Sequence, residues 1–158
     1  MYERILVPLD GSKVGEAALP MIEELIARFS SATQVEVILL QVISQLSHWV
    51  VAGETGARVP YTEKELDMLR QEALSYLEQA GETLRTHGAR ATTIVRFGNP
   101  ADEIIKLCEE MSVNMIAMST HGRSGLSRWA FGSITEKVLR SGIAPTLTVR
   151  APQGTENE

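Results

Sequence analysis

Gly122, Gly125 and Gly132, the hydroxyls of Ser119, Thr120, Ser124, Ser127 and Ser133, and the cations Arg123 and Arg128 share one stretch, Ser119–Glu136 (STHGRSGLSRWAFGSITE). No Asp or Glu lies between Glu110 and Glu136, although the chain carries a net charge of −5. Glycines free backbone N–H groups, hydroxyls donate, and a helix N-terminus concentrates positive potential. Together they make a site for an anion, most often a phosphate. The chemistry these residues point to is nucleotide binding.

Each residue also has a plainer role. Gly132-Ser133 is a tight turn plus a helix cap worth about 1 kcal/mol, or a first helical turn whose free N–H groups face a phosphate; both can hold at once. Gly122 and Gly125, with Arg123 and Ser124 between them, are loop glycines, or backbone that wraps a phosphate oxygen while the guanidinium adds charge. The composition around them favours the second reading. Arg128 divides evenly between ligand and solvated surface, and Trp129 and Phe131 read as anchors that fix the loop. Asp10 is a turn residue that can also accept hydrogen bonds from a base or ribose, or help hold Mg²⁺. His121 reads as a residue that shapes the loop. His48 and His87 are isolated, so no metal-ligand spacing is present. The patterns G-x-x-x-x-G-K-[ST], G-x-G-x-x-G and G-x-S-x-G are all absent. Without an evident general base, the chain favours a binder over an efficient catalyst; no catalytic residue is assigned, and any hydrolysis is expected to be slow.

The elements that must position these residues are legible from periodicity. Arg4–Leu9 is a buried strand ending at Asp10-Gly11-Ser12. Lys13–Phe29 has helical spacing, and Pro20 within it predicts a kink or a late start. Val35–Val42 is a second buried strand. Ile43–Tyr61 shows no clear period; a loop this long is functional or mobile, and could serve as a lid over a ligand. Thr62 and Glu65 form a capping box for a helix reaching about His87, stopped by Gly88. Thr92–Phe97 is a third strand, and Asn99-Pro100 caps and opens the next helix. Met115–Ser119 is a fourth strand. Ser133 with Glu136 reads as a second capping box, for a helix ending near Ser141 with Gly142 as its stop. Thr146–Arg150 is a fifth strand, and 151–158 reads as a disordered tail. Strands alternating with helices, the first four uniformly apolar, define a doubly wound α/β sheet. Such sheets bind ligands beyond the carboxyl ends of the strands, where the winding reverses.

Composition narrows the function. The 158 residues suit one domain, one that buries about 68–70% of its unfolded surface. The acidic balance argues against nucleic acid or an anionic membrane as partner. A single cysteine, Cys108, excludes an intramolecular disulfide and reads as a buried thiol. Glu3, Arg4 and Asp10 at the start do not suit a signal peptide, so the expected location is cytoplasmic.

RILVPLDGSKVGEAAL, GNPADEII and the spacing Gly122, nine residues, Gly132-Ser133 resemble the ATP-binding branch of the universal stress protein family over residues 1–150. The family motif is Gly, two residues, Gly, nine residues, Gly, then Ser or Thr; here Ser119 replaces the first glycine. The resemblance implies a sheet order 3-2-1-4-5 and ATP as ligand, with or without Mg²⁺. It implies that Pro8, Asp10 and Val42 line the adenine and ribose end, and that Met118 and Ser119 lie beneath the sugar and α-phosphate. Gly122, Arg123, Gly132, Ser133 and Ile134 would then surround the phosphates. It also implies a homodimer made by antiparallel pairing of Thr146–Arg150, and a regulator or sensor in the stress response. Two alternatives stay open: a nucleotide-free dimeric interaction module, and an ATP-using adenylyl-transfer or pyrophosphatase-type enzyme. The second usually carries a Ser-Gly-Gly loop where this chain has Asp10-Gly11-Ser12-Lys13.

Overall fold

The computed structural model describes residues 2–29, 33–52, 55–120 and 132–152. Five strands form one parallel sheet: β1 (Tyr2–Pro8), β2 (Gln34–Ile43), β5 (Arg90–Phe97), β6 (Met115–Thr120) and β7 (Thr146–Arg150). Their order is β5-β2-β1-β6-β7, which is the expected order 3-2-1-4-5 when only these five are counted. β1 pairs with β2 on one side and β6 on the other, so the winding reverses between β1 and β6.

Six consecutive residues of β2, Val35–Leu40, are buried, because helices cover both faces of the sheet. On one face Ile22 and Ile26 of α1 (Leu19–Arg28) and Leu77 and Leu84 of α2 (Glu63–Thr86) pack with Val37 and Leu39. On the other, Ile104 and Leu107 of α3 (Pro100–Met111) and Val138 of α4 (Ser133–Ser141) pack with Ile38 and Leu40. Each such side chain contributes about 1.5–3 kcal/mol on full burial. Cys108 belongs to this second layer, and burial pushes its thiol up to about 11, so it stays protonated at neutral pH.

Local signals act as physical chemistry dictates. Gly15–Ala18 makes one 3₁₀ turn and α1 begins only at Leu19, so Pro20 falls in the first helical turn, where its missing N–H costs nothing. Thr62 and Glu65 form the reciprocal capping box, and the Asn99 side chain accepts from Asp102 N–H.

Two expectations fail. Ile43–Tyr61 is not an irregular loop: β3 (Ser47–Ala52) and β4 (Thr55–Pro60) pair antiparallel as a separate two-stranded sheet. Tyr61 N–H donates to Leu46 C=O at 3.0 Å and closes its base. The β-formers Trp49, Val50 and Val51 carry that strand signal, and Gly53, Gly56 and Pro60 obscure it. Ser133 is not a cap either. Gly132 occupies that position in extended backbone without a side-chain cap bond. Ser133 is therefore already helical, and the S-x-x-E spacing is one residue out of register for a capping box. The expected tail 153–158 lies outside the described residues. Among those described, no helix is long and apolar enough to cross a membrane.

Candidate nucleotide-binding site

Asp10, just beyond β1, folds its own turn. Its Oδ1 accepts from Ser12 N–H at 3.0 Å and from Ser12 Oγ at 2.6 Å, and Ser12 Oγ accepts from Gly15 N–H at 2.9 Å. Gly11 takes φ +83°, a value glycine adopts without strain. Gly15 is required for space rather than dihedral freedom, since a Cβ there would stand 2.3 Å from Asp10 Oδ1. Gly15→Ala is expected to push the Asp10 carboxylate off Ser12 and to cost about 1–3 kcal/mol. Chemical denaturation combined with the change in nucleotide affinity checks this.

The exit of β6 is tied to that same turn. Ser119 Oγ donates to Gly15 C=O at 2.8 Å and accepts from Ala18 N–H at 2.9 Å. The residue standing where the family motif has glycine thus clamps two segments about a hundred positions apart in sequence. Ser119→Ala leaves both backbone groups without this partner. It is expected to lower stability by about 1–2 kcal/mol, a fall of roughly 2–8 °C in thermal midpoint, measurable by calorimetry.

Between these turns lies a cleft of about 510 Å³ at the carboxyl ends of the strands, within the range of about 300–1,000 Å³ usual for small-molecule sites. Pro8 and Asp10 from β1 and its turn, Val42 from β2, and Met118 and Ser119 from β6 line it. Gly132, Ser133 and Ile134 line it from the start of α4. The structure therefore brings these eight sequence-selected residues together; Gly122, Arg123 and Gly125 lie outside the described residues. Leu40, Ile104 and Pro100 complete an apolar side, and Gly15, Ser44 and Thr135 add polar groups. Sequence reasoning missed these six. Ile104 was recognisable as part of the apolar face of its helix, whereas Gly15 and Ser44 carried no separable signal.

The cleft is polarised. Its apolar part, from Leu40, Val42, Ile104 and Met118, suits a flat ring. At the other end α4 presents its first turn, whose N–H groups have no partner within the helix. Gly132 and Ser133 are exposed there, and an added Cβ at Gly132 would meet nothing within 4 Å. The one acid in that turn, Glu136, is paired with Arg140 at 2.6 Å, which offsets its charge. An anion is favoured at such a position. Among the described residues no group of three His, Cys, Asp or Glu side chains could hold a metal ion.

An open parallel sheet whose cleft, at the reversal point, runs from an apolar side to a helix N-terminus defines the class: an α/β protein with the makings of a mononucleotide site. Residues 1–150 match the universal stress protein family, and the chain belongs to it. It is 31% identical to universal stress protein MJ0577 of Methanocaldococcus jannaschii, over 95% of this chain and 96% of that one. It is 31% identical to universal stress protein YxiE of Bacillus subtilis, over 95% and 100%. The structure of MJ0577 superposes with a TM-score of 0.71 at 29% identity, covering 98% of this chain and 99% of that one. The same fold recurs at 15% identity in the Arabidopsis thaliana family protein At3g01520 with AMP bound, with a TM-score of 0.65 and 99% of each chain covered. It recurs at 16% identity in a universal stress protein in complex with cAMP, with a TM-score of 0.58 and 94% and 97% covered.

Proposed function

We propose that this protein binds ATP in the cleft between β1, β6 and α4 and acts as a dimeric stress-response regulator or sensor, hydrolysing the nucleotide slowly if at all. The observation that carries the reading is the clamp at Ser119, which joins the Asp10 turn to the exit of β6 beside the start of α4. Pro8 and Val42 would hold the adenine, and Asp10 the ribose. Met118 and Ser119 would lie under the sugar and α-phosphate. The first-turn amides of Gly132, Ser133 and Ile134 would receive the phosphates together with Gly122, Arg123 and Gly125. The AMP and cAMP held by family proteins of the same fold support an adenine nucleotide as the ligand class.

The dimer reading rests on β7. Among the described residues this strand pairs with β6 alone, at the end of the sheet. An edge of that kind is usually covered, and a second copy pairing antiparallel through Thr146–Arg150 would cover it. Sedimentation of the purified chain tests this: a dimer is expected, and a concentration-independent monomer contradicts it. Chromatography of the nucleotide released on denaturing freshly purified protein tests the ligand. Retained adenine nucleotide supports the proposal; protein that never copurifies with nucleotide and takes none up favours the interaction module.

A further inference from the structure

The segment 10–18 is a partition. Its first residue, Asp10, borders the nucleotide cleft and also a second cleft, of about 580 Å³, lined by Leu69, Ala73 and Tyr76 of α2. Ser119 grips the segment from β6, through Gly15 C=O and Ala18 N–H. Asp10, Ser12 and Gly15 hold it from within. Both sets of bonds leave the side of α2 to another group.

Tyr76 is that group. Its hydroxyl donates to Glu16 Oε1 at 3.1 Å, across 60 positions of sequence. Glu16 lies in the 3₁₀ turn Gly15–Ala18, between the two residues that Ser119 grips. A single 3₁₀ turn has poorer hydrogen-bond geometry than an α-helix, and this one starts without a side-chain cap bond, so it depends on supports from outside. Tyr76 packs against the α1–α2 layer of the core, which presents the hydroxyl from a fixed platform. Burial, and after it the Glu16 charge, push the phenol above its ordinary range, so it stays a donor at neutral pH. Lys13 also approaches Glu16, at 3.5 Å. That ammonium is exposed, and a pair so open to water holds little. A half-buried hydroxyl donating to a carboxylate is the firmer tie.

We infer that Tyr76 is a positioning residue for the nucleotide site: by holding Glu16 from α2 it fixes the turn that carries Asp10, and so sets the fraction of molecules ready to accept the ligand. Tyr76 is not among the described residues that line the nucleotide cleft, so its effect passes through the turn. The inference rests on the nucleotide reading proposed above.

The test compares the full chain with four variants by titration calorimetry with ATP, by thermal midpoint, and by amide hydrogen exchange of Gly15–Ala18 in nucleotide-free protein. Tyr76→Phe removes the hydroxyl and Glu16→Ala its acceptor. Each is expected to lower ATP affinity about three- to tenfold, and to speed exchange of those amides at least about threefold, because the competent turn is populated less. Glu16→Gln keeps an oxygen for the hydroxyl and is expected to bind ATP as the wild type does. Thr93→Val is the control: it removes a different hydroxyl-to-carboxylate bond of α2, to Glu78 at 2.7 Å, and is expected to lower the midpoint with affinity unaltered. A merely structural Tyr76 would lower the midpoint alone. The inference is overturned if Tyr76→Phe leaves affinity unaltered, if Glu16→Gln binds as weakly as Glu16→Ala, or if Thr93→Val weakens binding as much as Tyr76→Phe. A wild-type chain that binds no ATP overturns the nucleotide reading and this inference with it, whereas normal binding by Tyr76→Phe overturns this inference alone.

Discussion

Gly132→Val is expected to reduce ATP affinity at least about 100-fold, a loss of roughly 2.7 kcal/mol, while the protein remains folded. The two halves of that expectation have separate causes. In the free protein a side chain at Gly132 meets nothing within 4 Å, and the backbone there, φ −59° and ψ 153°, suits any residue. Losing glycine at a helix cap costs no more than about 1 kcal/mol. The branched side chain would nevertheless fill the space over the first turn of α4, where the proposed binding mode brings the phosphates to the amides. Titration calorimetry beside a denaturation curve separates the effects; normal ATP binding by this variant would mean the phosphates sit elsewhere.

Glu36→Ala is expected to do the reverse. Glu36 is 5% exposed near the start of β2, within its buried run Val35–Leu40. Its carboxylate accepts from Arg4 Nε at 3.2 Å and from Thr92 Oγ1 at 2.8 Å, joining β2 to β1 and β5. Arg4 also donates to Met111 C=O at 2.8 Å, which draws in the end of α3. Removing one partner of a buried pair strands the other, with a usual cost of about 3–5 kcal/mol. The Arg4 side chain is 35% exposed, and water screening brings the expected loss to about 2–3 kcal/mol. The thermal midpoint is expected to fall by roughly 4–12 °C. The network sits at the end of the sheet away from the nucleotide cleft, so ATP affinity measured well below the midpoint should be unchanged. An unaltered midpoint would show that the network contributes nothing to stability.

These two residues also mark how much the sequence reveals. The late start of α1 and the caps at Thr62 and Asn99 were legible because each rests on local chemistry: proline geometry, a reciprocal capping box, an Asn-Pro start; the sheet order came only from the family resemblance. Asp10 and Ser119 could be grouped because strand ends in such a sheet share one edge; Pro8 and Val42 entered only through the family resemblance. The roles of Glu36 and Gly15 were not legible. Glu36 acquires its meaning from Arg4 and Thr92, more than thirty residues away in either direction. Gly15 acquires its meaning from an Asp10 oxygen 2.3 Å from where its Cβ would stand. The hairpin was missed because glycines and a proline interrupt the alternation that normally marks a strand. The Ser133 cap was misassigned by one residue because glycine and serine are both good caps, and spacing alone does not choose between them.

The central claim is that the turns leaving β1 and β6, clamped by Ser119, open with α4 onto a single site for an adenine nucleotide. Titration calorimetry of the full chain with ATP, after any retained nucleotide has been stripped, tests it most directly. Saturable binding with about one ATP per chain, weakened when adenosine replaces ATP because the amides at α4 lose their anion, is the predicted result. Absence of any binding heat, together with absence of adenine nucleotide on the isolated protein, would contradict it.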